Sequence, residues 1–235
     1  MLKNIVFIMM TLAFLAACGS SSQSNSAVSA FEKGSTLVAE ANKLLAEGQD
    51  RSAKKIFTAA IIELEKAAKN DANQEGLASL LGESQYRIRD FDNAIQWLNK
   101  AVGQDKEDPK NYQYLGYCQV NKSAFKEAEA NFKRAFALDK SDKIKDEAVK
   151  ELTDIGELSL SLGDNFTEQG NPAQGVQFKK LGMRIMALAL EYTDYDMTLA
   201  RKIKEYAVEM NDQILMDWIE NIIINDGETT IIIKQ

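Results

Sequence analysis

The chain contains no histidine. That removes the commonest general base, the Ser-His and Cys-His nucleophile pairs, and most protein zinc sites. Proline occurs twice and glycine 13 times in 235 residues, and a chain so rarely interrupted favours helix over sheet. An excess of basic residues is also missing: 28 Lys and Arg stand against 35 Asp and Glu. This argues against nucleic-acid binding and against a polybasic membrane patch. No phosphate-cradling loop, metal-spaced cluster or nucleophile motif is present, so no cofactor, metal or catalytic residue is assigned. What is present is an ordinary globular balance, 45% hydrophobic and 27% charged, long enough for a substantial core or a repeat array.

Residues 1–17 read MLKNIVFIMMTLAFLAA. Lys3 is a short positive start, and Ile5 to Ala17 is an apolar run too short to span ~30 Å of hydrocarbon as a helix. The segment is a secretory signal. It ends in Leu15-Ala16-Ala17-Cys18, which closely resembles the lipobox of bacterial lipoproteins. The resemblance implies cleavage before Cys18 and alkylation of its thiol by diacylglycerol, so that acyl chains such as palmitate tie the protein to a membrane. Gly19, where the Gram-negative sorting rule of that family reads aspartate for retention, implies the outer membrane on its periplasmic side. Cleavage takes Lys3 and no acid, so the net charge goes from −7 to −8. Residues 18–30 then read as a flexible, uncharged, serine-rich tether with a reach of roughly 20 Å.

A repeat follows. With Pro109 laid on Glu75, 34 residues earlier, Leu115-Gly116 falls on Leu81-Gly82. Phe125 then falls on Phe91, Ala128 on Ala94, Phe132 on Leu98, Ala135 on Ala101 and Asp139 on Asp105. Each unit reads as two antiparallel helices joined at Ile88–Asp90 or Asn121–Ser123. Ala128 and Phe132 share one face at i, i+4, and small residues let the helix backbones approach. One such pair cannot bury its apolar face alone, so pairs stack. Asp108-Pro109 and Asn171-Pro172 place a capping residue before proline at the first helical position.

These residues resemble the tetratricopeptide repeat (TPR): Tyr112, Leu115, Gly116, Ala128, Phe132 and Ala135 fit its pattern in one unit, and Leu81, Gly82, Ala94, Leu98 and Ala101 in the one before. The closing proline is missing, with Lys106 and Lys140 in its place, and Gln85 and Gln119 stand where tyrosine is usual. The resemblance implies an all-α fold of antiparallel helix-pair repeats stacked as a TPR-like right-handed superhelix, a solenoid. The repeat domain covers 31–226, with units at about 34–67, 75–108, 109–142 and 156–190 and capping helices over 197–226. The first unit is read with Ala41 at the glycine position and Ala53, Phe57 and Ala60 on the second helix. The fourth carries Leu162-Gly163, Gly175 and Gly182, with its first helix lengthened back to Lys143. The apolar tail 227–235 is read as β-prone and packed on its own domain.

In the family the first helices line a concave face that binds peptides or protein segments. The corresponding residues here are Asn42; Glu83, Tyr86 and Arg87; and Gln113, Tyr117 and Asn121. Ser79, Val120, Val38 and Leu45 extend this face, and Leu160, Asp164, Thr167 and Glu168 continue it in the fourth unit. Tyr and Arg are the usual anchors at interfaces; equally, Tyr86 and Tyr117 can fill space between repeats. The carboxylate-clamp version of the family does not match, since Val38, Leu80 and Tyr114 stand at three of its five positions beside Asn42 and Lys110. Cys118, unpaired once Cys18 is acylated, reads as a buried small hydrophobe. The implied function is a lipid-anchored envelope scaffold that binds protein or peptide segments, with self-association left open. The enzyme alternative is a helical hydrolase acting on peptidoglycan, since spacing alone leaves a carboxylate pair open; a purely structural lipoprotein is another.

Overall fold

The computed structural model describes residues 21–193 and 196–233, with side chains from residue 30 to residue 223. The expected signal segment 1–17 and Cys18 lie outside the described residues. Ten helices and no strand occur among those described: α1 Ser21–Ala46, α2 Asp50–Asn70, α3 Leu77–Arg87, α4 Phe91–Gln104, α5 Pro109–Asn121, α6 Phe125–Leu138, α7 Lys143–Glu168, α8 Pro172–Leu190, α9 Met197–Glu209 and α10 Gln213–Ile233. The chain forms two compact units, Met1–Cys118 and Gln119–Gln235. The division falls inside α5, and so within the repeat read over 109–142.

One turn chemistry closes the hairpins. Each first helix ends in a residue at positive φ: Gly48 (73°), Arg89 (69°), Ser123 (60°), Gly170 (82°) and Asn211 (51°). The next residue's N–H then reaches back five residues, as Asp90 to Gln85 O and Ala124 to Gln119 O, both at 2.8 Å. This is the left-handed helix stop that satisfies the last carbonyls. Asp90 caps α4 by accepting from Asn93 N at 3.3 Å, and Asp108 accepts from Lys110 N at 2.9 Å beside Pro109. Asn171 precedes Pro172 as expected, yet its side chain accepts no capping hydrogen bond.

In the first unit α1 pairs with α2 and α3 with α4, and α2 packs on α3. Their apolar stripes meet at Phe57, Leu64, Leu77, Leu81 and Leu98, all buried. Glycine sets the spacing within a pair. A Cβ on Gly82 would lie 2.5 Å from Leu98 Cγ, and one on Gly34 would lie 2.6 Å from Leu64 Cγ. Both place a glycine under a leucine, but at different levels: Gly82 stands seven residues before the turn residue Arg89, as Ala41 stands before Gly48, while Gly34 stands fourteen before Gly48, one layer further from the closure. Ala60, Leu64 and Ala67 stand 34 residues before Ala94, Leu98 and Ala101, and Gly34 meets that layer because the hairpin is longer at its open end. Ala41 is itself buried in the same core.

In the second unit the long hairpin α7–α8 carries the core, with α9 packed on α8 and α10 on α9. Here glycine faces glycine. A Cβ on Gly163 would lie 2.8 Å from Gly175 O, and one on Gly182 would lie 2.7 Å from Gly156 O. At such distances backbone must move, since neither atom is the end of a flexible side chain.

Two boundaries differ from expectation. The expected tether over 18–30 is crossed by α1, which begins at Ser21. No proline and no glycine follow Gly19 there, and extending an existing helix is far easier than starting one. The expected tail over 227–235 is also helical as far as Ile233, because α10 runs through Asp226-Gly227. Propensity costs of at most ~1 kcal/mol per residue do not stop a helix that is already propagating.

The same substitution should therefore act with opposite sign at two glycines. Gly163→Ala should destabilise the fold by ~1–3 kcal/mol through overpacking. Gly103→Ala, on an exposed turn of α4 with open space around its Cβ, should stabilise by about 0.5 kcal/mol through helix propensity. Urea denaturation of both variants checks this; shifts of equal sign would refute the packing argument.

Candidate functional site

The candidate face on the first unit is built by α1, α3 and the α5 segment that belongs to that unit. Hairpin closure at Arg89 fixes the end of α3, and Pro109 fixes the start of α5. Asn42 Nδ2 donates to Glu83 Oε1 at 2.9 Å. The Tyr114 hydroxyl donates to the same oxygen at 2.9 Å and accepts from Arg87 Nη2 at 3.2 Å. The Arg87 guanidinium also lies 5.5 Å from the centroids of both the Tyr86 and the Tyr114 ring, a cation–π arrangement. Below it the aromatics interlock. Tyr86 stacks on Tyr117 at 5.5 Å and meets Tyr114 at 5.4 Å, while Tyr114 meets Tyr117 edge-on at 6.0 Å.

Burial divides the expected residues. Asn42, Glu83 and Arg87 are half-buried, and so are Ser79 and Leu45. Tyr86, Tyr117 and Gln113 are buried, at 6%, 4% and 3% exposure. Of the two readings of Tyr86 and Tyr117 the packing one holds, since the rings fill the space between α3 and α5, and the expected face position Gln113 is buried too, its Nε2 donating to the Tyr117 hydroxyl at 2.9 Å. Val38 and Val120 are buried as well. Asn121 is half-buried and belongs to the second unit. Tyr114 was missed as a participant. Its signal was available, since it falls 34 residues after Leu80. A tyrosine at an apolar position of the register needs partners for its hydroxyl, and Glu83 and Arg87 are one turn apart on the neighbouring first helix. Burial, and then the Glu83 charge, push the Tyr114 phenol well above its ordinary range.

The fourth-unit face is differently committed. Leu160 is buried, and the Thr167 hydroxyl donates to Gly163 O at 2.9 Å. Asp164 Oδ1 holds Lys179 Nζ at 2.7 Å, and Glu209 Oε1 holds it from the other side at 2.6 Å. The stem of Lys179 crosses Gly163, where an added Cβ would come within 2.6 Å of Lys179 Cγ. One buried ammonium thus ties α7, α8 and α9 together. Hydrogen bonds from Asp164 and then Glu209 raise the Lys179 pKa.

Among the described residues no group of acids, cysteines and histidines is arranged to hold a metal ion, and no helix is long and apolar enough to cross a membrane. Cys118 is buried, and that burial pushes its thiol up to about 12. What the first-unit face offers is three polar heads in fixed positions. They can donate and accept hydrogen bonds, and they include no nucleophile with an adjacent base.

Two measurements probe these sites. Native protein should leave Cys118 unlabelled by a maleimide at neutral pH over hours and label fully in denaturant; rapid native labelling would contradict its burial. Lys179, with its pKa raised on folding, contributes stability that is complete below its unfolded value near 10.5 and is lost as pH rises through the folded value. Unfolding midpoints should accordingly fall above pH ~10, and Lys179→Met should flatten part of that fall. A wild-type alkaline slope in the variant would show that the ion pairs do not set it.

No family model matches the chain, and no curated protein matches its sequence. Among solved structures it is similar to MamA, with a TM-score of 0.40 and 17% identity over 78% of this chain and 95% of that one. It is also similar to TTC0263, a thermophilic TPR protein of Thermus thermophilus, with a TM-score of 0.37 and 16% identity over 74% of this chain and 99% of that one. The case for the fold stands on the 34-residue register and the helix pairs that carry it: the chain is an all-α, TPR-like array of antiparallel helix pairs.

Proposed function

We propose that this protein is a lipid-anchored scaffold of the bacterial envelope. The fold is one that presents helix faces to other proteins. The observation that carries the reading is the chain Asn42–Glu83–Tyr114–Arg87, which fixes three half-buried polar heads on one face of the first unit. Heads already held in place lose little freedom on binding, so they suit recognition of a segment of another envelope protein. Arg87, stacked between rings, is the anchor type found at energetic centres of interfaces.

The membrane part of the proposal rests on the sequence Leu15-Ala16-Ala17-Cys18-Gly19. Acylation of Cys18 would supply the attachment, and two or three chains anchor stably where one does not. The expected location is the outer membrane, facing the periplasm. There the scaffold would support assembly of an envelope machine, whether a pilus secretin, outer-membrane barrel insertion or peptidoglycan synthesis. The scarcity of free catalytic groups on the face favours a binding role over the hydrolase alternative.

Cys18→Ala should move the protein from the membrane fraction to the soluble fraction, and unchanged fractionation would refute the acyl anchor. A photo-crosslinker at Asn42 should capture a partner in cells, while one at the exposed Lys126 of α6 should not. Arg87→Ala should cut that capture by about fivefold, the ~1 kcal/mol that separates energetic centres from neutral contacts, with helical circular dichroism retained. Equal capture from both positions would sink the face assignment.

A further inference from the structure

We propose that the α7–α8 hairpin carries a second docking face, at the end that α6 leaves uncovered, and that its occupant is an amphipathic helix of another protein with acids along one flank. α6 lies beside only part of α8. The Arg184 guanidinium stands 4.4 Å from the ring centroid of Phe125, the first residue of α6, and Phe136 meets Tyr192 at 5.0 Å. Burial changes at that level on both arms of the hairpin. On α7, Ala148 and Leu152 are buried, whereas Ile155, Leu162 and Phe166 are half-buried and Leu158 is 42% exposed. On α8, Leu188 and Ile185 are buried, whereas Leu181 and Phe178 are half-buried. Steps of three or four residues join each set, so one apolar stripe on each arm runs on past the start of α6. The close approach of Gly156 and Gly182 marks the crossover, and Phe166 stacks on Phe178 at 5.2 Å near the closed end. From Arg184 back to Pro172 the uncovered stretch of α8 is roughly 18 Å at 1.5 Å per residue.

Continuity and charge select the occupant. The inner half of this face already takes a helix, α6, so the outer half suits a second helix laid end to end with it. The α8 edge is basic. α8 contains no Asp or Glu, and Lys180 and Arg184 stand exposed one turn apart. Neither forms an ion pair among the described residues, and Arg184 is held in place over the Phe125 ring. The α7 edge differs. Its exposed positions Ser161 and Asn165 are uncharged, and its acids Glu157 and Asp164 are taken by Lys202 and Lys179. Asp154, exposed at the inner end of that edge, would repel a second acidic flank. The helix that fits therefore carries its acids along the α8 side only. A second copy of this chain is disfavoured, because a two-fold axis through the face would bring Lys180 and Arg184 of both copies together.

The probe is a synthetic helical peptide of ~12 residues, the length of the uncovered stretch, with leucines on one face and glutamates along one flank. A comparison peptide carries lysines in place of the glutamates. The purified full-length protein should bind the glutamate peptide roughly tenfold more tightly than the lysine peptide by fluorescence anisotropy, and a photo-crosslinker at Leu158 should capture it. Lys180→Glu combined with Arg184→Glu should abolish that preference. Leu158→Asp should weaken binding by roughly tenfold. All three residues are exposed, so melting temperatures should stay within a few degrees. Arg87→Ala, on the first-unit face, should leave the peptide's affinity unchanged, which separates failure here from failure of the scaffold reading. Equal affinity for the two peptides would overturn the proposal, as would binding to neither. So would capture from Leu158 of a second copy of the chain, or of phosphatidylglycerol vesicles in preference to the glutamate peptide.

Discussion

The structure depends on how closely two helix backbones approach inside each hairpin. In α7–α8 the gap is closed down to glycine against glycine, and a single added carbon would land on a facing carbonyl oxygen. In the first unit the same gap is filled by a leucine lying over a bare Cα, Leu64 on Gly34 and Leu98 on Gly82. The cost of each helical glycine, ~1 kcal/mol relative to alanine, is offset by the apolar stripe that close approach buries. Much else follows from that distance. Lys179 can cross from α8 over Gly163 to reach Asp164 only because no side chain stands in the way, and from there it reaches Glu209 on α9.

The candidate face follows from the opposite device, where large rings replace bare backbone. Tyr86, Tyr114 and Tyr117 occupy the space between first helices, and their hydroxyls must be satisfied where they are buried. Glu83 and Arg87 satisfy Tyr114, and Asn42 joins them through Glu83. The aromatic interior thereby dictates where the polar exterior sits. Packing and recognition are not separable in this unit: a residue that stabilises the core also sets the position of the groups a partner would meet.

The helix pairs, their turns and the two proline starts were legible because each has a local cause: a 34-residue register, a left-handed stop, a cap. The lengthened α7 was legible for the same reason. Burial at the face was not. The i, i+4, i+7 spacing of Glu83, Tyr86, Arg87, Gln113 and Tyr117 says which residues share a side of a helix, and it says nothing about what covers that side. Tyr86 and Tyr117 went inward because rings gain more from mutual packing than from water. Gly34 adds a second close layer, seven residues further from the turn than Ala41, and only the packing shows it, because the first hairpin is longer at its open end. The ends of α1 and α10 were misjudged because composition describes isolated residues, and helix extension is cooperative.

The crossings recur at a fixed interval. Gly156 and Gly163, Gly175 and Gly182, and the buried Ala53, Ala60 and Ala67 each stand seven residues apart. Seven residues bring a helix round to within about 20° of where it began. The turns, meanwhile, keep one closure at every hairpin. A hairpin of this design can therefore grow or shrink only by matched steps of seven in both arms. Any other insertion would swing the small residues away from the seam by about 100° per residue. The α1–α2 and α7–α8 hairpins each carry one such further layer, Gly34 facing Leu64 and Gly156 facing Met186, and both glycines stand fourteen residues before the turn glycine, Gly48 or Gly170, while the closures stay as they are.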